Sequence, residues 1–326
     1  MARFVPAVTL VAAFLCCQVC AQGQSGNYPV RPIRILVAQA AGSGTDIVAR
    51  VIAQKLSEAW GQQVVVDNRP GANALIGYEM GAKAKPDGYT LLMAVPSALT
   101  INQHIYRKLP YDPAKDFSPV TQATSLTFVL VTNPSVPART LQEFVALAKA
   151  RPSYLNYSSP GIGNLMHLSA VMFNMQTGTR MTHVPNKGEP AAALDVMTGQ
   201  VDMMIATMPT VAPHIKSGKL RALAVLSPQR SPILPAVPAT PELNYPRMLV
   251  TGWTGVLAPA GTPADIIGKL QREIARHLLA PDVKDSLSSQ GADPVGSTPE
   301  EFAAFIKTEA AKWGGVVKSA GLTAQP

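Results

Sequence analysis

The stretch Ile33–Trp60 constrains the fold more than any other part of the chain. It opens with an apolar, β-branched run of the kind found in strands buried on both faces. Ala41-Gly42-Ser43-Gly44-Thr45-Asp46 follows, where two glycines relax the backbone and Ser43, Thr45 or Asp46 can cap a helix. From Val48 through Val51, Ile52, Leu56 and Trp60 the apolar residues recur at helical spacing, and Gly61 stands where that helix should stop. Strand, glycine turn and helix start together make an anion-binding geometry, because the first amides of a helix lack partners within it and carry partial positive charge. A tight βα turn that binds nothing meets the same pattern, so this turn alone does not decide function.

The following units repeat that rhythm. Gln63–Asp67 reads as a short strand, Asn68-Arg69-Pro70-Gly71 as a turn, Ala74–Ala84 as a helix ended by Pro86-Asp87-Gly88, and Tyr89–Val95 as another buried strand. A helix is expected from Ser97 through Ile101 and Ile105. This βαβαβ order implies a parallel sheet covered on both faces. Phe117–Asn133 then reads as one long extended crossing into a second unit with its own alternation. There the spacing predicts helix Thr140–Ala150, strand Leu155–Ser158, a second glycine turn at Ser159–Asn164, and a helix with Leu165, Leu168, Val171, Met172 and Met175 on its buried stripe. Strand Met181–Pro185, the polar turn Asn186-Lys187-Gly188, helix Pro190–Met197, strand Val201–Ala206 with Asp202 inside it, helix Val211–Ser217 and strand Leu220–Leu226 complete the unit. After the proline-dense Ser227–Pro246 the chain returns to the first unit with strand Gly252–Ala258 and helices Pro263–Leu279 and Pro299–Ala320. Two crossings between lobes make a two-strand hinge. The fold class read from this order is α/β: two lobes, each a mostly parallel sheet flanked by helices, with residues 22–124 and 248–326 in lobe I and 125–247 in lobe II.

Residues 1–21 fall outside that pattern. Arg3 is the only charge, the run to Cys17 is almost wholly apolar, and Val19-Cys20-Ala21 offers small residues before a cut, so a secretory leader cleaved after Ala21 is expected. Lipidation at Cys20 is the competing reading, and Cys17-Gln18-Val19 is a poor signal for it. All 3 cysteines lie in the leader, which excludes a disulfide framework and a cysteine metal site from the mature protein. Losing Arg3 takes the formal charge from +8 to +7, a balance that favours anionic small molecules. The basic residues are scattered and form no recognised motif, which argues against nucleic acid.

The motifs resemble, in order from about Tyr28 to Gly321, the receptors of tripartite tricarboxylate transporters, the TctC or Bug family. Gly42-Ser43-Gly44-Thr45-Asp46 before an Ile-Val-Ala-Arg helix carries the resemblance first. Asn68-Arg69-Pro70-Gly71-Ala72, Pro86-Asp87-Gly88-Tyr89-Thr90-Leu91, Val184-Pro185-Asn186-Lys187-Gly188, Gly199-Gln200-Val201-Asp202 and Leu257-Ala258-Pro259-Ala260-Gly261-Thr262-Pro263 extend it. The resemblance implies a type II-like periplasmic binding protein, monomeric and without a cofactor, that closes on a small carboxylate and delivers it to integral membrane transporter subunits. A receptor that signals instead to a membrane sensor kinase has the same sequence features.

The family holds its ligand carboxylate largely through backbone amides and waters, which points here to Gly42, Ser43, Gly44, Thr45 and Asp46 on one side and Ser158, Gly161, Gly163 and Asn164 on the other. Asp202 falls on a family motif and is equally a strand-end aspartate capping a neighbouring turn. Lys187 is a charge near the cleft or a solvated turn lysine. Family members often carry an aromatic residue where this chain has Gln39, commonly a tyrosine at Asn186, and often an acid at Ala206, so Gln39 and Asn186 are candidates for setting which ligand is taken. Enzyme chemistry finds little footing: there is no Gly-x-Ser-x-Gly elbow, neither glycine turn completes a dinucleotide fingerprint, and the 5 histidines show no metal-ligand spacing.

Overall fold

The structure is a computed structural model describing residues 28–319, so the expected leader lies outside the described residues. Strand β1 (Ile33–Val37) leads through the glycine turn into helix α1 (Gly44–Trp60). Ser43 caps α1 in extended conformation and Gly61 ends it in the left-handed region at φ 62°, as the sequence pattern requires. Its inward face, Val48, Ala49, Ile52, Ala53 and Leu56, is buried against the sheet. Val48, Ile52 and Leu56 each contribute about 1.5–3 kcal/mol by leaving water.

Strand β2 (Val64–Asn68), helix α2 (Leu75–Ala82) and strand β3 (Thr90–Ala94) follow. Strands β2, β1 and β3 lie side by side and parallel. Helix α2 lies inside the expected limits, and it starts late because Ala72, Asn73 and Ala74 all have positive φ, of 46°, 51° and 74°, and form a left-handed turn instead. A π-helical turn, Ser97–Ile101, runs into the short helix α3 (Asn102–Ile105).

Strand β4 (Phe117–Thr132) is the long crossing. Up to Thr127 it pairs antiparallel with β9 (Thr251–Pro259), and from Phe128 onward with β7 (Met203–Thr207) and β8 (Arg221–Val225). The chain comes back beside it, where Leu226 N–H donates to the Phe128 carbonyl and Val250 N–H to that of Leu226. Helix α4 (Leu141–Ala150), strand β5 (Asn156–Ser159), helix α5 (Leu165–Thr177), strand β6 (Thr182–Pro185), helix α6 (Glu189–Met197) and helix α7 (Met208–Lys216) build the second lobe around β7. Its strands β5, β6 and β7 are parallel. Helix α8 (Ala264–Leu278) returns to the first lobe. Helix α9 (Pro281–Ser288) and strand β10 (Ala292–Pro294), absent from the sequence reading, come next, before helix α10 (Pro299–Ser319).

The path through the sheet is β2-β1-β3-β9-β4-β7-β5-β6, with β8 and β10 also on β4. Two lobes therefore share one continuous strand. The returning segment is not confined to the first lobe. Trp313 and Val317 near the end of α10 join Ile101 and Ile105 in the hydrophobic core of the second lobe.

Candidate functional site

A cavity of about 610 Å3 lies between the lobes, at the ends of their parallel strands where the glycine turns sit. Of the candidate residues, Gln39, Ser43, Gly161, Asn164 and Asn186 line it. Ser97, Tyr106, Glu189 and the left-handed turn at Ala72–Ala74 line it too, and these were missed. A narrower chamber continues beneath, bounded by Thr45, Thr207 and Trp253 and sharing Gln39, Ser97, Asn164 and Glu189 with the main cavity. A more open groove of about 670 Å3 runs beside the hinge at Thr127, between Ser227–Ile233 and the α9–β10 segment. It contains neither glycine turn, so the interlobe cavity is the candidate site.

The lobes are closed onto each other around this cavity. A β-carbon on Gly44 would stand 2.8 Å from the Thr207 hydroxyl oxygen, one on Gly188 2.9 Å from the Ala40 Cβ, and one on Gly163 2.9 Å from the Ile105 Cδ1. The Leu165 N–H donates across the seam to Ser97 Oγ at 3.3 Å.

The first loop is braced from within. Asp46 is 2% exposed, accepts the Gly42 N–H at 2.8 Å and Arg50 Nε at 2.9 Å on Oδ2, and accepts Asn68 Nδ2 at 2.9 Å on Oδ1. Burial works against its charge, but those hydrogen bonds outweigh it and hold the carboxyl below the usual carboxylate range. The Asp46 N–H in turn goes to Ser43 Oγ at 3.3 Å. In the second loop the Gly161 N–H goes to Ser159 Oγ, the Gly163 N–H to His167 Nδ1 at 3.1 Å, and the Met166 N–H to Asn164 Oδ1. The amides expected to stand ready for a ligand are thus largely engaged inside the protein in this closed arrangement. Side chains carry more of the cavity's polarity than the sequence suggested.

Asn186 gives both amide hydrogens away, to Ser158 Oγ at 3.0 Å and Asp195 Oδ2 at 2.7 Å, leaving its carbonyl oxygen as the free group. Ser158 therefore acts behind the wall, as the support of Asn186. Asp202 is not at the cavity. It precedes β7, at the opposite end from Thr207, where its carboxylate accepts the Asn156 N–H at 2.8 Å and its own N–H donates to Asn156 Oδ1. That is the capping role. Lys187 is exposed at the rim.

Glu189, the first residue of α6, is 4% exposed at the seam. Its Oε1 accepts the Thr207 N–H and the Thr207 hydroxyl, each at 2.7 Å. Burial raises its pKa, against the opposing pull of Thr207, of Thr210 and of the Gly44 N–H from across the seam. Asn102, fully buried, donates to the Asn73 carbonyl at 3.0 Å and accepts from Asn73 Nδ2 at 2.7 Å, clamping the left-handed turn. Asn73 followed by a helical pattern was the one signal for that turn, since asparagine tolerates the left-handed region. Under the second loop His167, His183 and Tyr157 stack, with the two imidazoles 4.1 Å apart. Burial lowers the pKa of both histidines to about 4, and for His183 the neighbouring His167 adds to the effect.

Among the described residues no cluster of His, Cys, Asp and Glu could hold a metal, and no helix is long and apolar enough to cross a membrane. The family model that matches residues 48–322 is that of the tripartite tricarboxylate transporter family receptor. Protein BugT of Bordetella pertussis is 40% identical over 304 residues, 93% of each chain. An R. palustris protein solved with adipate superposes with a TM-score of 0.89 at 34% identity, over 91% of this chain and 100% of that one. MatC from Rhodopseudomonas palustris with bound malate gives 0.84 at 31% identity, over 89% and 100%.

Proposed function

The chain belongs to the tripartite tricarboxylate transporter receptor family, a family of solute-binding receptors and not of enzymes, and from that premise we propose that it binds a small carboxylate between its lobes. The observation that carries the reading is the interlobe cavity of about 610 Å3, whose lining brings together the N-cap of α5, Asn164, with the polar residues Gln39, Tyr106 and Lys187. It has no arginine in its lining, so an acid is met by neutral donors, the α5 helix end and one lysine. A helix end contributes about 0.3–1 kcal/mol when exposed and up to ~2 kcal/mol when partly buried. Micromolar affinity needs about 8 kcal/mol, so the remainder comes from several side-chain hydrogen bonds in a closed, drier cavity. The adipate and malate of the two solved relatives are small carboxylates as well, each with two carboxylate groups.

Residues 22–124 and 248–326 form lobe I and 125–247 lobe II in this proposal, with the end of α10 reaching across to the second core. Opening and closing turn on β4 near Thr127 and on the return near Val250, where strand pairing changes partner. The leader sends the protein to the periplasm, where as a monomer it hands its ligand to the membrane subunits of a tripartite tricarboxylate-type transporter. Native mass spectrometry of protein purified from the periplasm tests this reading. A mature chain starting after Ala21 with a co-purified organic acid supports it. A chain that retains its leader or begins at a lipidated Cys20, or that carries only a non-acidic ligand, counts against it.

A further inference from the structure

The floor of the cavity is already occupied by one of the protein's own carboxyl groups. Glu189 lines both the main cavity and the chamber beneath it, and its carboxylate lies where the first residue of α1 meets the second lobe. Thr207 holds it from the far side through both its N–H and its hydroxyl. The closed seam leaves little slack, since even a β-carbon on Gly44 would press on the Thr207 hydroxyl. The helix end that reads from sequence as an anion site is therefore completed by a side chain 145 residues further along the chain. A second negative group beside a buried carboxylate meets repulsion that surrounding water screens poorly. The same cavity also carries groups of complementary character. The α5 N-cap Asn164 and the rim residue Lys187 supply donors and the positive end of a helix.

We infer that Glu189 is a specificity-determining residue: it fills the anion position at the start of α1, so the cavity takes ligands with a single carboxylate, placed toward α5 and Lys187, and rejects a second carboxylate at the floor. The inference rests on the proposed carboxylate-receptor function and narrows its ligand class. The group that reaches Glu189 is uncharged or cationic, such as a primary amide, a hydroxyl or an ammonium. A merely structural Glu189 predicts something different, namely that its loss weakens all ligands alike and leaves their ratio unchanged.

Calorimetry on the full mature chain with matched pairs separates the two. The probes are succinate, glutarate, adipate and pimelate, each against its own monoamide, which keeps the length and removes one charge. The wild type is expected to bind the best monoamide at least tenfold more tightly than its dicarboxylate, and Glu189→Gln to shrink that ratio at least fivefold. Glu189→Met, of similar length and also neutral, is the second variant, and thermal unfolding shows which of the two keeps its fold. A wild type that favours a dicarboxylate, or treats the pair alike, overturns the inference whatever the variants do. A ratio unchanged in a folded variant overturns it as well. If both variants fail to fold, the wild-type ratio decides alone. Absence of binding by every acid and monoamide removes the receptor reading itself, and this inference with it, which is distinct from acids that bind without the expected preference.

Discussion

Gly44→Ala isolates lobe closure from folding. Gly44 is the first residue of α1 and is not among the glycines with positive φ, so alanine suits its backbone and by helix propensity favours the helix. The added methyl would lie 2.8 Å from Thr207 Oγ1 and 3.4 Å from Thr207 Cβ, about 0.6 Å short of ordinary contact with the oxygen. That oxygen has little freedom, being held at 2.7 Å by Glu189 Oε1 and at 3.0 Å by Thr210 Oγ1. Closing the lobes around the methyl requires either a retreat of the seam or the loss of the hydroxyl's bond to the carboxylate. A hydrogen bond to a charged group is worth about 1.5–3 kcal/mol, which corresponds to roughly 10- to 150-fold in dissociation constant. Calorimetry with the tightest-binding acid should show that loss, while the unfolding midpoint stays at or slightly above that of the wild type. Small-angle scattering should show less contraction on ligand addition. A dissociation constant within about twofold of wild type, with full contraction, would refute the argument that the Gly44–Thr207 seam gates closure.

Other consequences follow from single contacts. Gln39→Phe should reorder preference among acids of different length without abolishing binding, because Gln39 borders both the main cavity and the inner chamber; a uniform loss across a ligand panel would contradict this. His167 is 6% exposed and its pKa is pulled from 6.5 to about 4, so the unfolded chain takes up its proton first as pH falls; stability should drop between about pH 6.5 and about 4, by at most about 3 kcal/mol for this residue, and be unaffected by it above pH 7. Urea midpoints across that range check it, and the slope should flatten in His167→Gln, which keeps an acceptor for the Gly163 N–H. Asn102→Ala should cost about 1–3 kcal/mol of stability, measured by denaturant unfolding, because it removes the clamp from three consecutive residues with positive φ; a change below about 0.5 kcal/mol would show that the turn holds itself.

What the sequence made legible and what it hid divide along physical lines. Ser43 and Gly61 mark the ends of α1 because capping is a contact between near neighbours, and β4 reads as one long crossing because its extended pattern runs on unbroken. The parallel units show in the alternation of buried strands and amphipathic helices. Glu189 could not be read in this way. It looks like an ordinary acid in the first turn of a helix, and its partners Thr207 and Gly44 lie on another strand and in another lobe. The turn at Ala72–Ala74 escaped because alanine rarely adopts positive φ and the Asn102 that clamps it is distant in sequence. Asp202 misled in the other direction. A motif placed it near a ligand, while it stands at the far end of the five-residue strand β7 from the cavity. The glycine turns were correctly located, yet which groups satisfy their amides depends on His167, Ser159 and Asp46, whose side-chain directions no spacing rule supplies.

The most direct test of the account is calorimetry of the mature protein with one organic acid and with the fully amidated form of that acid, at matched concentration and salt. A receptor that recognises a carboxylate beside the start of α5 and Lys187 binds the acid at least tenfold more tightly and loses the amide almost completely. An amide that binds within about twofold of its acid would contradict the claim that a carboxylate is what the closed cavity holds.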